Sequence, residues 1–163
     1  MYIQGLEHYS DFGHIGFVVR DMEQALKKWS QIATLIIPPT IDPVQEVVCS
    51  LFVMRGAAPI ELIAPQPGDE DSKLKSRLAR GGGLDHLCFY VDDVSLAFQQ
   101  RVNARAVGIC EPVYGCVFDR EIAFVQERNG LTVEFMSRQA KGRMEIDPLA
   151  DLNINSRQPR AQQ

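Results

Sequence analysis

Two stretches of this chain read as copies of one another, and each opens on a histidine that is followed at nearly the same distance by a glutamate. The first runs His14-Ile-Gly-Phe-Val-Val-Arg-Asp-Met-Glu-Gln-Ala-Leu and the second His86-Leu-Cys-Phe-Tyr-Val-Asp-Asp-Val-Ser-Leu-Ala-Phe. Aligned on the histidines, Phe17 matches Phe89, Val19 matches Val91, Asp21 matches Asp93 and Ala25 matches Ala97. Glu61 follows His14 by 47 positions and Glu134 follows His86 by 48. A duplicated module with one imidazole and one carboxylate per copy can build a four-ligand metal site on a pseudo-twofold axis.

Each copy predicts the same order of elements. Gly13 to Arg20 alternates like a half-buried strand, Asp21 stands where an N-cap belongs, and Met22, Ala25, Leu26 and Trp29 recur at helical spacing through Ile32. Thr34 to Ile37 reads as a short strand closed by Pro38-Pro39. Glu46 to Met54 and Pro59 to Ala64 read as a hairpin turned at Arg55-Gly56-Ala57. A connecting helix is expected over Asp71 to Arg80, ending in Gly81-Gly82-Gly83. The order then repeats: a strand from Asp85 to Val91, a helix from Asp93 to Asn103 capped by Asp92 or Asp93, and a short strand from Ala106 to Ile109. A hairpin of Glu121 to Gln126 and Leu131 to Met136 crosses Asn129-Gly130. The divisions expected are residues 1–11 as an N-terminal segment, 12–66 and 84–137 as two βαβββ modules, 67–83 as the connection, and 138–163 as an irregular, polar tail laid against a partner subunit.

Strand alternation sends His14, Gly16, Val18 and Arg20 to one face of the first copy, and His86, Cys88, Tyr90 and Asp92 to the equivalent face of the second. Glu61 sits in Ile60-Glu-Leu-Ile63 and Glu134 in Val133-Glu-Phe-Met136. A carboxylate in the middle of an apolar strand needs a cation or a donor, because burying it unpaired is costly. Two imidazoles and two carboxylates suit a divalent transition metal with open positions for water or a chelating substrate; zinc, nickel, cobalt, manganese and iron are not told apart by the sequence. Tyr90 is read as lining the space or as packing, Arg20 as holding an anion or as a surface ion-pairing group. His8 is expected at the surface or at a contact between subunits.

Composition narrows the classes. A net charge of −4 with scattered basic residues gives no nucleic-acid face. No apolar run approaches the roughly 20 residues that span a bilayer, and the N-terminus has no signal-peptide pattern, which makes the cytoplasm the default expectation. Cys49, Cys88, Cys110 and Cys116 have no C-x-x-C spacing and are expected as reduced thiols, most of them small buried apolar groups. Open sheet edges predict a homodimer.

Over about residues 12 to 137 the chain resembles the vicinal oxygen chelate superfamily of glyoxalase I, methylmalonyl-CoA epimerases, extradiol dioxygenases and the bleomycin- and fosfomycin-resistance proteins. The epimerase branch is the nearest in look, through Ile60-Glu-Leu-Ile-Ala-Pro65, Asp71-Ser72 and Gly83-Leu-Asp-His-Leu-Cys-Phe-Tyr-Val-Asp92. The resemblance implies an α+β fold in which two tandem βαβββ modules form an eight-stranded, cup-shaped mixed sheet around a metal site. It puts the family's ligand positions on His14, Glu61, His86 and Glu134. It further implies a metal-dependent lyase or isomerase that abstracts a proton alpha to a chelated carbonyl of an acyl thioester or 2-oxo compound, with Glu134 or Glu61 as base. Tyr90, Cys49, Cys88 and Arg20 are the expected lining. Two places depart from the epimerase pattern: Val47-Val48-Cys49 stands where some epimerases carry a catalytic acid, and Tyr114-Gly-Cys-Val-Phe-Asp119 and Gln126-Glu-Arg-Asn129 replace a Gly-rich loop and a His-Pro. The alternative is a binding module of the resistance kind, which sequesters a ligand without chemistry; the full His-Glu-His-Glu set favours the enzyme.

Overall fold

Each half of the chain makes a strand, a helix and three further strands, and the strands merge into one sheet. The structure, a computed structural model, describes residues 11–152. The first half holds β1 (Asp11–Val18), α1 (Met22–Trp29), β2 (Thr34–Asp42), β3 (Val47–Val53) and β4 (Ile60–Pro65); α2 (Lys75–Ala79) connects. The second holds β5 (Gly83–Val91), α3 (Val94–Asn103), β6 (Val107–Gly115), β7 (Arg120–Gln126) and β8 (Thr132–Ser137). The eight strands run in the order β2-β3-β4-β1-β5-β8-β7-β6. Within each half the first strand pairs in parallel with the last, β1 with β4 and β5 with β8, while β1 and β5 join the halves in antiparallel fashion. The sheet is the curled, eight-stranded mixed sheet of the expected α+β fold.

Both helices start where the sequence caps them. The Asp21 carboxylate accepts from the Gln24 amide at 3.0 Å and the Asp93 carboxylate from the Leu96 amide at 2.8 Å. Helix α3 lays Val94, Ala97 and Phe98 on Ala123, Val125 and Phe135 of one sheet face, and α1 sets Ala25 on Phe52, Ile60 and Leu62. The opposite, concave face carries its own apolar cluster, which includes Leu51, Ile63, Tyr90, Ile122 and Met136.

The ends of two strands and the extent of the connecting helix differ from expectation. Pro38-Pro39 does not close β2, which runs on to Asp42, and β6 runs past Pro112 to Gly115. Both are the outermost strands of the sheet, and in both the prolines fall where the register shifts, between Ile37 and Thr40 and between Cys110 and Val113. An edge strand with a bulge can lose an amide donor at little cost. The connecting helix covers only Lys75–Ala79, without a side-chain cap at its start. Residues 138–152 make contacts within their own chain: the Arg120 guanidinium donates to both carboxylate oxygens of Asp147 at 2.7 and 2.9 Å, and Leu149 is buried in the concave cluster. His8 and residues 153–163 lie outside the described part. No described helix is long and apolar enough to cross a membrane.

Candidate metal centre

The four central strands deliver one ligand-type side chain each. In the parallel pairings Gly16 faces Glu61 and Cys88 faces Glu134, and across the antiparallel seam Gly16 faces His86. His14, Glu61, His86 and Glu134 therefore meet on the concave face, all four buried, with one ligand atom from each inside a 4.8 Å span. Nε2 of His14 lies 3.2 Å from Oε2 of Glu61 and 3.0 Å from Oε2 of Glu134; Nε2 of His86 lies 3.3 Å from each of the same oxygens. The two Nε2 atoms are 3.2 Å apart.

These separations test the fit of an ion. Ligands at about 2.1 Å from a metal are about 3.0 Å apart at octahedral right angles and about 3.4 Å apart in a tetrahedron. The measured edges fall in that range. Hydrogen bonding does not account for them as well, since Oε2 of Glu134 is buried and receives no aligned hydrogen bond despite its near neighbours. A buried carboxylate oxygen without a donor, facing two imidazole nitrogens, is the arrangement a divalent cation completes.

Electrostatics binds the four groups to one another. Burial alone pushes the Glu61 and Glu134 carboxyls up, but the imidazoles of His14 and His86 outweigh it and hold both below the usual carboxylate range. Burial alone pulls the two imidazoles down, and the carboxylates outweigh it; His86 ends well above the ordinary value, with Asp85 its largest supporter. The Asp85 carboxylate sits 3.1 Å from Nδ1 of His86, an outer contact that orients the ring and turns Nε2 toward the other three groups. Sequence reading missed Asp85, although its place beside His86 and the Gly13 at the matching position of the first copy were both visible.

A cavity of about 440 Å³ opens onto Glu61, His86 and Glu134, walled by Val47, Cys49, Ile63, Leu74, Phe124 and Thr132, with Val44, Lys73 and Ile109 toward the outside. Of the expected lining, Cys49 stands in this wall. Its thiol is pushed well up by burial and by Glu61, so it faces the cavity as a neutral S–H. The other three lie elsewhere. Tyr90 is packed in the concave cluster and Cys88 is fully buried opposite Glu134, because Phe118 and Leu149 fill the concave face on their side. Arg20 is exposed at the end of β1 and donates to the Leu78 carbonyl at 3.0 Å. Phe118, which no sequence pattern singled out, stacks on His14 with centroids 5.4 Å apart and planes at 25°.

Comparison with known proteins agrees with this architecture. No curated relative matches the chain. Among solved structures, the methylmalonyl-CoA epimerase of Mycobacterium tuberculosis superposes with a TM-score of 0.68 at 23% identity, over 84% of this chain and 92% of its own. A hypothetical protein of Bacillus halodurans gives 0.68 at 24% identity, over 82% and 98%. A variant of the Streptomyces coelicolor methylmalonyl-CoA epimerase in complex with 2-nitronate-propionyl-CoA gives 0.64 at 18%, over 79% and 97%. At such identities the likeness concerns the fold. A family model matches residues 13–124, a span that takes in His14, Glu61 and His86. The chain belongs to the Glyoxalase/Bleomycin resistance protein/Dioxygenase superfamily, the vicinal oxygen chelate proteins.

Proposed function

We propose that the chain is a divalent-metal-dependent lyase or isomerase of the glyoxalase and methylmalonyl-CoA epimerase kind, moving a proton alpha to a carbonyl. The observation that carries this reading is the convergence of two imidazoles and two carboxylates, one acceptor without a donor, with Glu61, His86 and Glu134 of the four lining a cavity. His14, Glu61, His86 and Glu134 would hold one ion, which when bound polarises a chelated carbonyl oxygen as a Lewis acid.

The chain's own residues supply the rest. Glu134 faces the cavity and is held ionised; loosened from the ion, its carboxylate would take a proton from carbon and return it. Glu61 is the second carboxylate in the same position. Asp85 keeps the His86 ring in place. Val47, Ile63, Leu74 and Phe124 exclude water, which strengthens every charge interaction at the floor of the cavity. The Cys49 S–H is a neutral donor within that wall, in the strand stretch Val47-Val48-Cys49 where some epimerases carry an acid. A small acyl thioester or 2-oxo compound is the proposed substrate, a homodimer the proposed assembly and the cytoplasm the proposed location; the epimerase in complex with a propionyl-CoA analogue supports the acyl-thioester choice.

The test is solvent deuterium. With metal added, the wild type should wash deuterium into methylmalonyl-CoA, a hemithioacetal or a related acyl compound, and Glu134→Gln should stop it. Absence of exchange with all of them moves the chain to the resistance-type binding proteins of the same fold.

A further inference from the structure

The cavity reaches Glu61, His86 and Glu134 but not His14. His14 is covered instead by the Phe118 ring, which stands outside the cavity wall, and the three consecutive residues Phe118, Asp119 and Arg120 explain how the ring is kept there. Phe118 stacks on His14. Asp119, in left-handed backbone at φ 53°, accepts from the amides of Gly142 and Arg143 at 3.0 and 3.1 Å. Arg120, 1% exposed, grips Asp147 through both carboxylate oxygens and donates to the Phe118 carbonyl at 2.8 Å. Two residues beyond Asp147, Leu149 is buried in the same apolar cluster as Phe118. A fully buried guanidinium is tolerated only with such a partner, so the segment that carries Asp147 is tied to the turn that carries Phe118.

We infer that residues 138–152 form a strap which seals the His14 side of the cup through Phe118, leaving one open face and setting the size of ligand admitted there. The inference rests on the proposed metal centre for its ligand, and on the described contacts alone for the strap. With His14 covered, a chelating ligand can approach only over Glu61, His86 and Glu134, in the space walled by Val47, Cys49, Ile63, Leu74, Phe124 and Thr132. Bulk attached to the carbonyl on the Phe118 side meets a filled core. Phe118 and Asp147 are thus specificity-determining and positioning residues, respectively.

Two measurements test this. In metal-free protein, the His14 ring protons of the wild type should carry the upfield shift of a stacked ring, lost in Phe118→Leu. Asp147→Asn should move them toward the Phe118→Leu position; wild-type signals in Asp147→Asn would overturn the strap. In cobalt(II)-loaded protein titrated with two oxygen chelators, the wild type should bind acetohydroxamate and reject naphthohydroxamate. Phe118→Ala should bind the naphthyl compound roughly tenfold or more tightly than wild type, with Asp147→Asn changing in the same direction. Equal binding of both chelators by the wild type, or no gain in Phe118→Ala, would overturn the size limit. A wild type that takes up no cobalt would sink the proposed function, while the histidine signals still decide the strap.

Discussion

Gly16→Ala should cost this chain the proposed metal site while leaving the four ligand-type residues in its sequence. Gly16 faces His86 across the β1–β5 seam, and a Cβ built there stands 2.2 Å from Cε1, 2.5 Å from Nδ1 and 2.6 Å from Nε2 of that imidazole. Ordinary contact begins at 3.4 Å, so the ring must retreat by about 1.2 Å to reach van der Waals distance. Metal–ligand distances tolerate only about 0.2 Å. The ring also cannot retreat freely, since Phe124 meets it edge-on with centroids 5.3 Å apart and Asp85 holds its Nδ1. We expect the affinity for zinc or cobalt to fall by about 100-fold, the upper end for loss of a ligand's orientation. Overpacking should lower metal-free stability by about 1–3 kcal/mol. Competition against a fluorescent chelator reads the first, and thermal unfolding in EDTA the second. Wild-type metal affinity in a folded Gly16→Ala protein would refute the argument, because it would mean that His86 is not needed where the structure puts it.

Other outcomes follow from the same geometry. His86→Ala should reduce bound metal from about one ion per chain toward none in elemental analysis; unchanged stoichiometry would remove the site. The metal-free cluster should have a pH window of its own. The lowered Glu61 and Glu134 stabilise above their ordinary value of 4.5 and lose that contribution as pH falls through their folded values. The raised His14 and His86 contribute fully below 6.5 and lose it as pH climbs through their folded values. Stability in EDTA should therefore be greatest between those limits and decline on the alkaline side, a decline that added metal abolishes in a thermal-unfolding series. Light scattering at micromolar concentration should give the mass of two chains, and a monomer would count against the homodimer.

The paired histidines and glutamates were legible because a duplication leaves the same residue types at the same spacing, and because Glu61 and Glu134 interrupt otherwise apolar strands. The helix starts were legible from Asp21 and Asp93, whose caps are local. The extents of β2 and β6 were not, since a proline looks like a stop until its strand is known to be at an edge. Nor was the wall of the cavity. Period-two alternation puts Tyr90 and Cys88 on the same face as His86, and they are there. It cannot say that Phe118 and Leu149, from segments without strand periodicity, cover that part of the face and leave Cys49 in the open one. The tail reads as polar and irregular, and what fixes it are contacts remote in sequence: the Arg120–Asp147 pair 27 positions apart, the Asp119 carboxylate on the amides of Gly142 and Arg143, and the burial of Leu149.

The seam between β1 and β5 also sets when the site can exist. His14 and Glu134 are 120 residues apart, and no strand neighbours within a single half bring a ligand of one half beside a ligand of the other. Each parallel first-to-last pairing must close a long loop before it is rewarded by contacts, and such pairings form slowly. We therefore expect the cluster to form late on the folding path. On that order, two carboxylates and two imidazoles would stay in water until the halves join and carry no burial cost before then. A chain caught before the halves join has half-sites of one histidine and one glutamate, which offer an ion too few ligands to hold it.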